Sequence, residues 1–228
     1  MNVFRVIRPP DIFTLLNLVF GFLAILFAGR AATAGSSFQY ALVFILLAAM
    51  ADGLDGLVAR KMGGSPLGAN LDSLADLVSF GLAPPFLAIS AFHLQPSIWP
   101  IAMLFLLCGA LRLARFNVVS EKGDQHFEGL PIPAAGIALS ASVLLDMPML
   151  TILLMLFLAL LMTSSIPYPK IRDLRLMIIF SSVYILVAAV VLWRHEMADV
   201  LYAALLLAAL ILLYMISPVV ITRLRKER

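Results

Sequence analysis

Apolar runs long enough to cross a bilayer recur along the whole chain, from FTLLNLVFGFLAILFAG near its start to LYAALLLAALILLYMI near its end. A helix needs ~20 apolar residues, with a range of about 17–25, to span the hydrocarbon core. Eight stretches fit: 12–29, 38–60, 68–92, 98–117, 131–145, 148–164, 174–193 and 197–217, the fifth and sixth being short and separated only by Asp146, Met147 and Pro148. Lipid cannot satisfy backbone polar groups, so the pattern predicts an all-α, polytopic membrane helical bundle of about eight transmembrane helices. A water-soluble globule is excluded by a composition that is 63% hydrophobic, with only 16 Lys+Arg and 13 Asp+Glu among 228 residues. The only cysteine, Cys108, sits inside an apolar run, which excludes a disulfide-stapled fold and reads as packing. No small-residue cleavage site follows the first run, which is therefore expected to be a helix of the bundle and not a leader. No internal repeat or linker divides the chain, and residues 1–228 are expected to form a single integral-membrane domain.

The distribution of cations sets the orientation. Eight spans put both termini on one side with the loops after the second, fourth and sixth helices. That side holds Arg5, Arg8, Arg60, Lys61, Arg112, Arg115, Lys122, Lys170, Arg172, Arg175, Arg223, Arg225, Lys226 and Arg228, which is fourteen of the 16 cations, and leaves Arg30 and Arg194 opposite. The positive-inside rule makes the rich side cytoplasmic. Fusing the fifth and sixth runs into one bent helix would instead send the tail TRLRKER outside. A net charge of +3 is accounted for by a basic rim against anionic head groups, with no nucleic acid partner. Trp99 and Trp193 fall near the predicted interfaces as belt residues, and Lys170 and Arg172 read as surface anchors.

Charge within a membrane helix is costly and usually functional, which singles out Asp52, Asp55, Asp72 and Asp76. The first two are three residues apart and the second two four apart, so each pair shares a helix face. The short loop KMGGSPL folds the two faces together. Converging carboxylates repel unless cations hold them, and an all-oxygen set suits Mg²⁺ or Mn²⁺ better than zinc. The expectation is a divalent metal site with two ions; the structural alternative is a set of buried salt bridges to Arg60, Lys61 or other cations. Gly53, Gly56, Ala59 and Gly68 surround the acids, and such small residues admit either a flat ligand or a neighbouring backbone. His93, His126 and His195 have no metal-ligand spacing.

The segment DGLDGLVARKMGGSPLGANLDSLADLVSFGLAP resembles the signature of the CDP-alcohol phosphotransferases, D-x-x-D-G-x-x-A-R followed after a spacer by G-x-x-x-D-x-x-x-D. Asp52, Asp55, Gly56, Ala59, Arg60, Gly68, Asp72 and Asp76 occupy every fixed position, and the spacer after Arg60 holds seven residues, one fewer than is usual in that family. DIFTLLNLVFGF, CGALRLARFNV and FEGLPIPAAG extend the likeness over residues 11–136 to the phosphatidylserine and archaetidylserine synthase branch, while 174–217 carry almost nothing diagnostic and are expected to be peripheral.

The resemblance implies a CDP-alcohol phosphotransferase fold and attack of an alcohol on the β-phosphate of a CDP-linked lipid, with CMP leaving. It implies that Asp52, Asp55 and Asp72 ligate metal. Asp76 would share the second ion and, as the catalytic residue, accept the proton of the attacking hydroxyl. Gly56, Ala59, Arg60 and Gly68 would shape the CDP-lipid site, with a snorkelling helix-end role as the alternative for Arg60. Partners so implied are CDP-diacylglycerol or CDP-archaeol, L-serine, CMP, membrane lipids and a second copy of the chain in a homodimer. For serine, Arg112 and Arg115, three apart and followed by Asn117, offer a fork for the carboxylate, or serve only as inside charge. Glu128 is the matching candidate for the ammonium, or a solvated loop acid; Gly129, Pro131 and Pro133 set the shape of its loop. Glycerol phosphate or inositol phosphate is the alternative acceptor, and a divalent-cation transporter the rival from another class. Labels attached after Arg228 and near Lys122 are expected to react from the cytoplasmic face; an external C-terminal label would end the eight-span topology.

Overall fold

A computed structural model describes residues 6–34, 38–121, 127–168, 182–190, 202 and 205–214. Pro9 and Pro10, whose missing N–H groups fall where a helix has no use for them, open α1 (Pro9–Ala34). Helix α2 (Gln39–Met62) ends at Gly63, whose φ of 81° stops the helix. Next come α3 (Gly68–Asp76), a π-helical turn (Leu77–Leu82) and α4 (Ala83–Phe92), which together make one continuous apolar span, Gly68–Phe92. Pro84 and Pro85 cannot return hydrogen bonds to the preceding turn, and the helix widens where those bonds are missing. After a 3₁₀ turn (Pro96–Ile98) follow α5 (Trp99–Glu121), α6 (Ile132–Val143) and α7 (Pro148–Thr163). Two-residue strands, Phe127–Glu128 and Pro167–Tyr168, pair antiparallel with Phe127 opposite Tyr168.

Four helices among the described residues are long and apolar enough to cross a membrane: Pro9–Thr33, Gln39–Met62, Gly68–Phe92 and Pro96–Val119. They match the first four expected spans to within a few residues. The expected fifth and sixth spans are two separate helices of 12 and 16 residues, each short of a full crossing at 1.5 Å per residue. The break falls at Asp146, with φ of 52°, followed by Pro148 at the start of α7. Of the last two expected spans, residues 182–190, 202 and 205–214 are described and helical. These bring Val187, Leu207 and Ile211 into the core, and Tyr214 stacks on Tyr168 with ring centroids 5.7 Å apart. Arg5, Lys122, His126, Lys170, Arg172, Arg175, Trp193, Arg194, His195 and the cations of the C-terminal tail lie outside the described residues.

Helix α6 is the hub. Ile132 and every residue from Ala135 to Val143 are buried, so this helix meets protein on all sides, including α2, α4, α7 and the π turn. Outer helices turn the other way, exposing Phe22, Leu26, Leu107, Leu111, Leu153 and Leu160 as a lipid-facing shell.

Two glycines set how closely the pieces approach. A Cβ on Gly136 of α6 would lie 2.9 Å from both the Cβ and the carbonyl oxygen of Phe80. One on Gly21 of α1 would overlap Ser79, coming 2.7 Å from its Cα. Backbone therefore packs against backbone on both flanks of the π turn, a contact that only small residues permit. Gly136→Ala is expected to lower stability by about 1–3 kcal/mol through overpacking, read as a lower melting temperature of the protein in lipid nanodiscs; an unchanged melting curve would show that the helices yield without loss.

Candidate active site

The four acids lie on the two helices that flank the 63–67 loop, Asp52 and Asp55 near the end of α2 and Asp72 and Asp76 in α3, and both helices pack against α1. Carboxylate oxygens of Asp52, Asp72 and Asp76 all lie within 4.8 Å of one another. Asp76 is buried and the other two are partly covered. Asp55, also buried, is not one of this trio; its Oδ2 accepts a 2.7 Å hydrogen bond from Thr14 Oγ1 of α1. Asn17, one turn further along α1, donates from Nδ2 to Asp76 Oδ1 at 3.1 Å. The backbone carbonyl of Asn17 accepts in turn from Ser79 Oγ at 2.9 Å.

This donor set fits a divalent cation. Asp72 Oδ1 is buried without a hydrogen-bond partner among the described residues, and a buried carboxylate oxygen left so beside two further acids is the environment a hard cation relieves. A protein cation also lies in this space. Arg112 of α5 is 6% exposed, interacts electrostatically with Asp76 and Asp52, and lies with its guanidinium carbon 5.7 Å from the centre of the Phe116 ring.

The loop after α2 is held from α1. Arg8 donates from Nη1 to the Gly64 carbonyl at 2.8 Å, and Asp11, buried in the first turn of α1, receives the Arg8 amide at 2.7 Å and Ser65 Oγ at 2.9 Å. A Cβ on Gly68 would meet Asp11 Oδ1 and Ser65 Oγ at 3.5 Å, so this glycine faces the latch. Gly56 opens onto space: among the described residues, the one atom within 4 Å of a Cβ there is Arg60 Nη1, at 3.5 Å. Ala59 is half-buried, its carbonyl capped by the Gly63 amide.

The residues expected at an acceptor pocket divide. Arg112 faces the acids. The Arg115 guanidinium is committed to backbone, donating to the carbonyls of Glu128 at 2.7 Å and Ser164 at 3.0 Å, with longer bonds to Met162 and Thr163. Glu128, half-exposed, sits 3.8 Å from Arg115 as an ion pair. Gly129 completes that clamp with φ of 80° and no room for a side chain against the Met162 carbonyl. Asn117 exchanges hydrogen bonds with Ser73, joining α5 to α3. His93 has φ of 46° and ends α4.

Sequence reasoning passed over Asp11, Thr14, Asn17 and Ser79. The signal was present in the first apolar run: Asp11, Thr14 and Asn17 recur every three residues and Gly21 follows four later, a polar stripe on one face of an otherwise apolar helix.

Residues 8–192 match the CDP-alcohol phosphatidyltransferase family. The chain is 41% identical over 171 residues to a CDP-diacylglycerol–serine O-phosphatidyltransferase of Methanocaldococcus jannaschii, covering 74% of this chain and 77% of that one. It is 38% identical over 174 residues to the archaetidylserine synthase of Methanothermobacter thermautotrophicus, covering 72% and 71%. To a CDP-diacylglycerol–serine O-phosphatidyltransferase of Helicobacter pylori it is 35% identical over 183 residues, covering 73% of each. With its acidic cluster at the signature aspartates of a multi-pass helical architecture, the chain belongs to the CDP-alcohol phosphatidyltransferase family, enzymes that transfer a phosphatidyl group from a CDP-linked lipid.

Proposed function

We propose that the acceptor is L-serine and that the chain is a CDP-lipid:serine phosphatidyltransferase releasing CMP. The observation that carries the chemistry is the convergence of Asp52, Asp72 and Asp76 beside the buried Arg112. Support for serine comes from relatives across archaea and bacteria that are named for it and align over more than two thirds of the chain. A relative named for archaetidylserine extends the same head-group chemistry to an archaeol lipid, so CDP-diacylglycerol and CDP-archaeol both suit the reaction.

Asp52, Asp55 and Asp72, with Asp76 sharing the second position, would hold two Mg²⁺ or Mn²⁺ ions. Bound there, they supply charge neutralisation for the pyrophosphate and stabilise the oxygens of the transferred and leaving phosphates. Asp76 takes the proton of the serine hydroxyl as its oxygen bonds to the β-phosphorus and the bond to the CMP oxygen breaks. The open space over Gly56, with Ala59 on the same helix, admits the cytidine end; Arg60, whose guanidinium folds back over Gly56, meets its phosphates, and Gly68 keeps the loop latched. The planar fork of Arg112 receives the serine carboxylate. Asn117 holds the α3–α5 seam beside it, and Glu128 with Arg115 closes the loop behind. The whole chain acts as one eight-span domain with both termini and the site at the cytoplasmic face, as the cations flanking the acids support. Small residues on its helices suit a homodimer.

Asp72→Asn is expected to weaken Mn²⁺ binding by roughly tenfold or more, because an amide lacks the charge that offsets the cation. A binding isotherm matching the parent would leave the trio as a structural cluster. In an acceptor panel with a CDP-lipid and Mg²⁺ or Mn²⁺, serine should support rapid CMP release. Glycerol phosphate and inositol phosphate should not, and Arg112→Lys should raise the serine KM while leaving that for CDP-lipid unchanged. Faster release with a phosphorylated acceptor would overturn the serine assignment.

A further inference from the structure

Helix α1 contributes no acid to the cluster, yet it touches both carboxylate pairs. Thr14, 3% exposed, reaches Asp55 of α2, and Asn17, fully buried, reaches Asp76 of α3. We propose that Thr14 and Asn17 are positioning residues that hold Asp55 and Asp76 in the orientations used for metal binding and transfer. The inference deepens the reading of these acids as the catalytic centre and rests on it.

Carboxylates gathered on two short stretches of helix repel one another and, left alone, turn their side chains apart. Arg112 supplies one positive charge beside them, but a protein cation bound on every carboxylate would compete with the divalent ion for the same oxygens. Thr14 and Asn17 restrain them without charge. Each donates one hydrogen bond to one carboxylate oxygen, and an ionised carboxylate has about four acceptor sites, so capacity for an ion or a proton remains.

The single Thr14 hydroxyl proton goes to Asp55 at 2.7 Å in preference to the Pro10 carbonyl 3.4 Å away. Asn17 is fixed through its backbone, because Ser79 sits three residues beyond Asp76 and donates to the Asn17 carbonyl. Gly21, a further turn along, lets Ser79 press against α1. The segment that carries Asp76 is thus tied to α1 at two points, and the distance from Asn17 to Asp76 follows from helix register.

Asn17 Oδ1 is buried and has no hydrogen-bond partner among the described residues. An unpaired buried oxygen destabilises the fold, so an apolar side chain of similar volume would serve stability better. The amide is explained by its donor.

The test uses the full-length protein in nanodiscs, with Mn²⁺ affinity measured by electron paramagnetic resonance without substrate, and with kcat, KM and melting temperature. Asn17→Leu is expected to weaken Mn²⁺ binding and lower kcat each by roughly 10–100-fold, with the KM for CDP-lipid within about twofold and no loss of melting temperature. Thr14→Val should weaken Mn²⁺ binding, and Thr14→Ser, which keeps the hydroxyl, should restore it. In an Asp76→Ala background Asn17→Leu should change Mn²⁺ affinity no further, since its partner is gone. Should Asn17→Leu fail to assemble, Asn17→Ala removes the donor with a smaller side chain and carries the same comparison. Parent-like Mn²⁺ affinity in both Asn17→Leu and Thr14→Val, or an Asn17→Leu effect that persists undiminished without Asp76, would overturn the positioning role. CMP release by Asp76→Ala at the parent rate would instead overturn the role of Asp76 in transfer, a result that the Mn²⁺ measurements distinguish.

Discussion

Several carboxylates brought together within an apolar bundle form the constraint to which the surrounding structure answers. Withdrawing charge from water is strongly unfavourable, so each acid must be met by a donor, a cation or an ion. Thr14 and Asn17 supply neutral donors, Arg112 supplies one buried positive charge, and Asp72 keeps an oxygen with no hydrogen-bond partner among the described residues, in a cluster able to take a divalent ion. Polar side chains elsewhere in the described bundle mostly close on their own helix, as Ser140 does on the Gly136 carbonyl and Thr163 on that of Leu160.

The geometry that brings the acids together depends on irregular backbone directly beside them. The π turn begins one residue after Asp76, and its residues Ser79 and Phe80 are the ones against which Gly21 and Gly136 pack. An unbroken α-helix over Gly68–Phe92 would rotate these contacts away from α1 and α6. The turn thus lets one continuous span present its acids toward α2 and its small-residue contacts toward two other helices. Arg115 performs the comparable task at the next loop, collecting the carbonyls at the end of α7 together with that of Glu128.

Much of this was legible in the sequence because the physics behind it is local. Long apolar runs defined the first four spans, and the three- and four-residue spacings placed each pair of acids on one helix face. The separation of α6 from α7 and the shortness of both could be read from the interruption at Asp146, Met147 and Pro148 and from the length of the two runs. What stayed hidden was pairwise. Nothing in RLARFN distinguishes Arg112, which faces the acids, from Arg115, which holds carbonyls, because the difference lies in what α7 and the 127–130 segment bring to Arg115. The stripe of Asp11, Thr14 and Asn17 was visible as a period but had no meaning until its partners on α2 and α3 were known.

Helix α6, at 12 residues and covered by protein almost throughout, also bears on how such a chain is assembled. Its length is insufficient for the bilayer to retain it as an independent span, and its surface is shaped for neighbours and not for lipid tails. Its stable position exists only once α2, α4 and the π turn are already in place to receive it. The order of synthesis delivers those three first and α7 afterwards, so the hub of the finished bundle is made only after both helices that carry the acids.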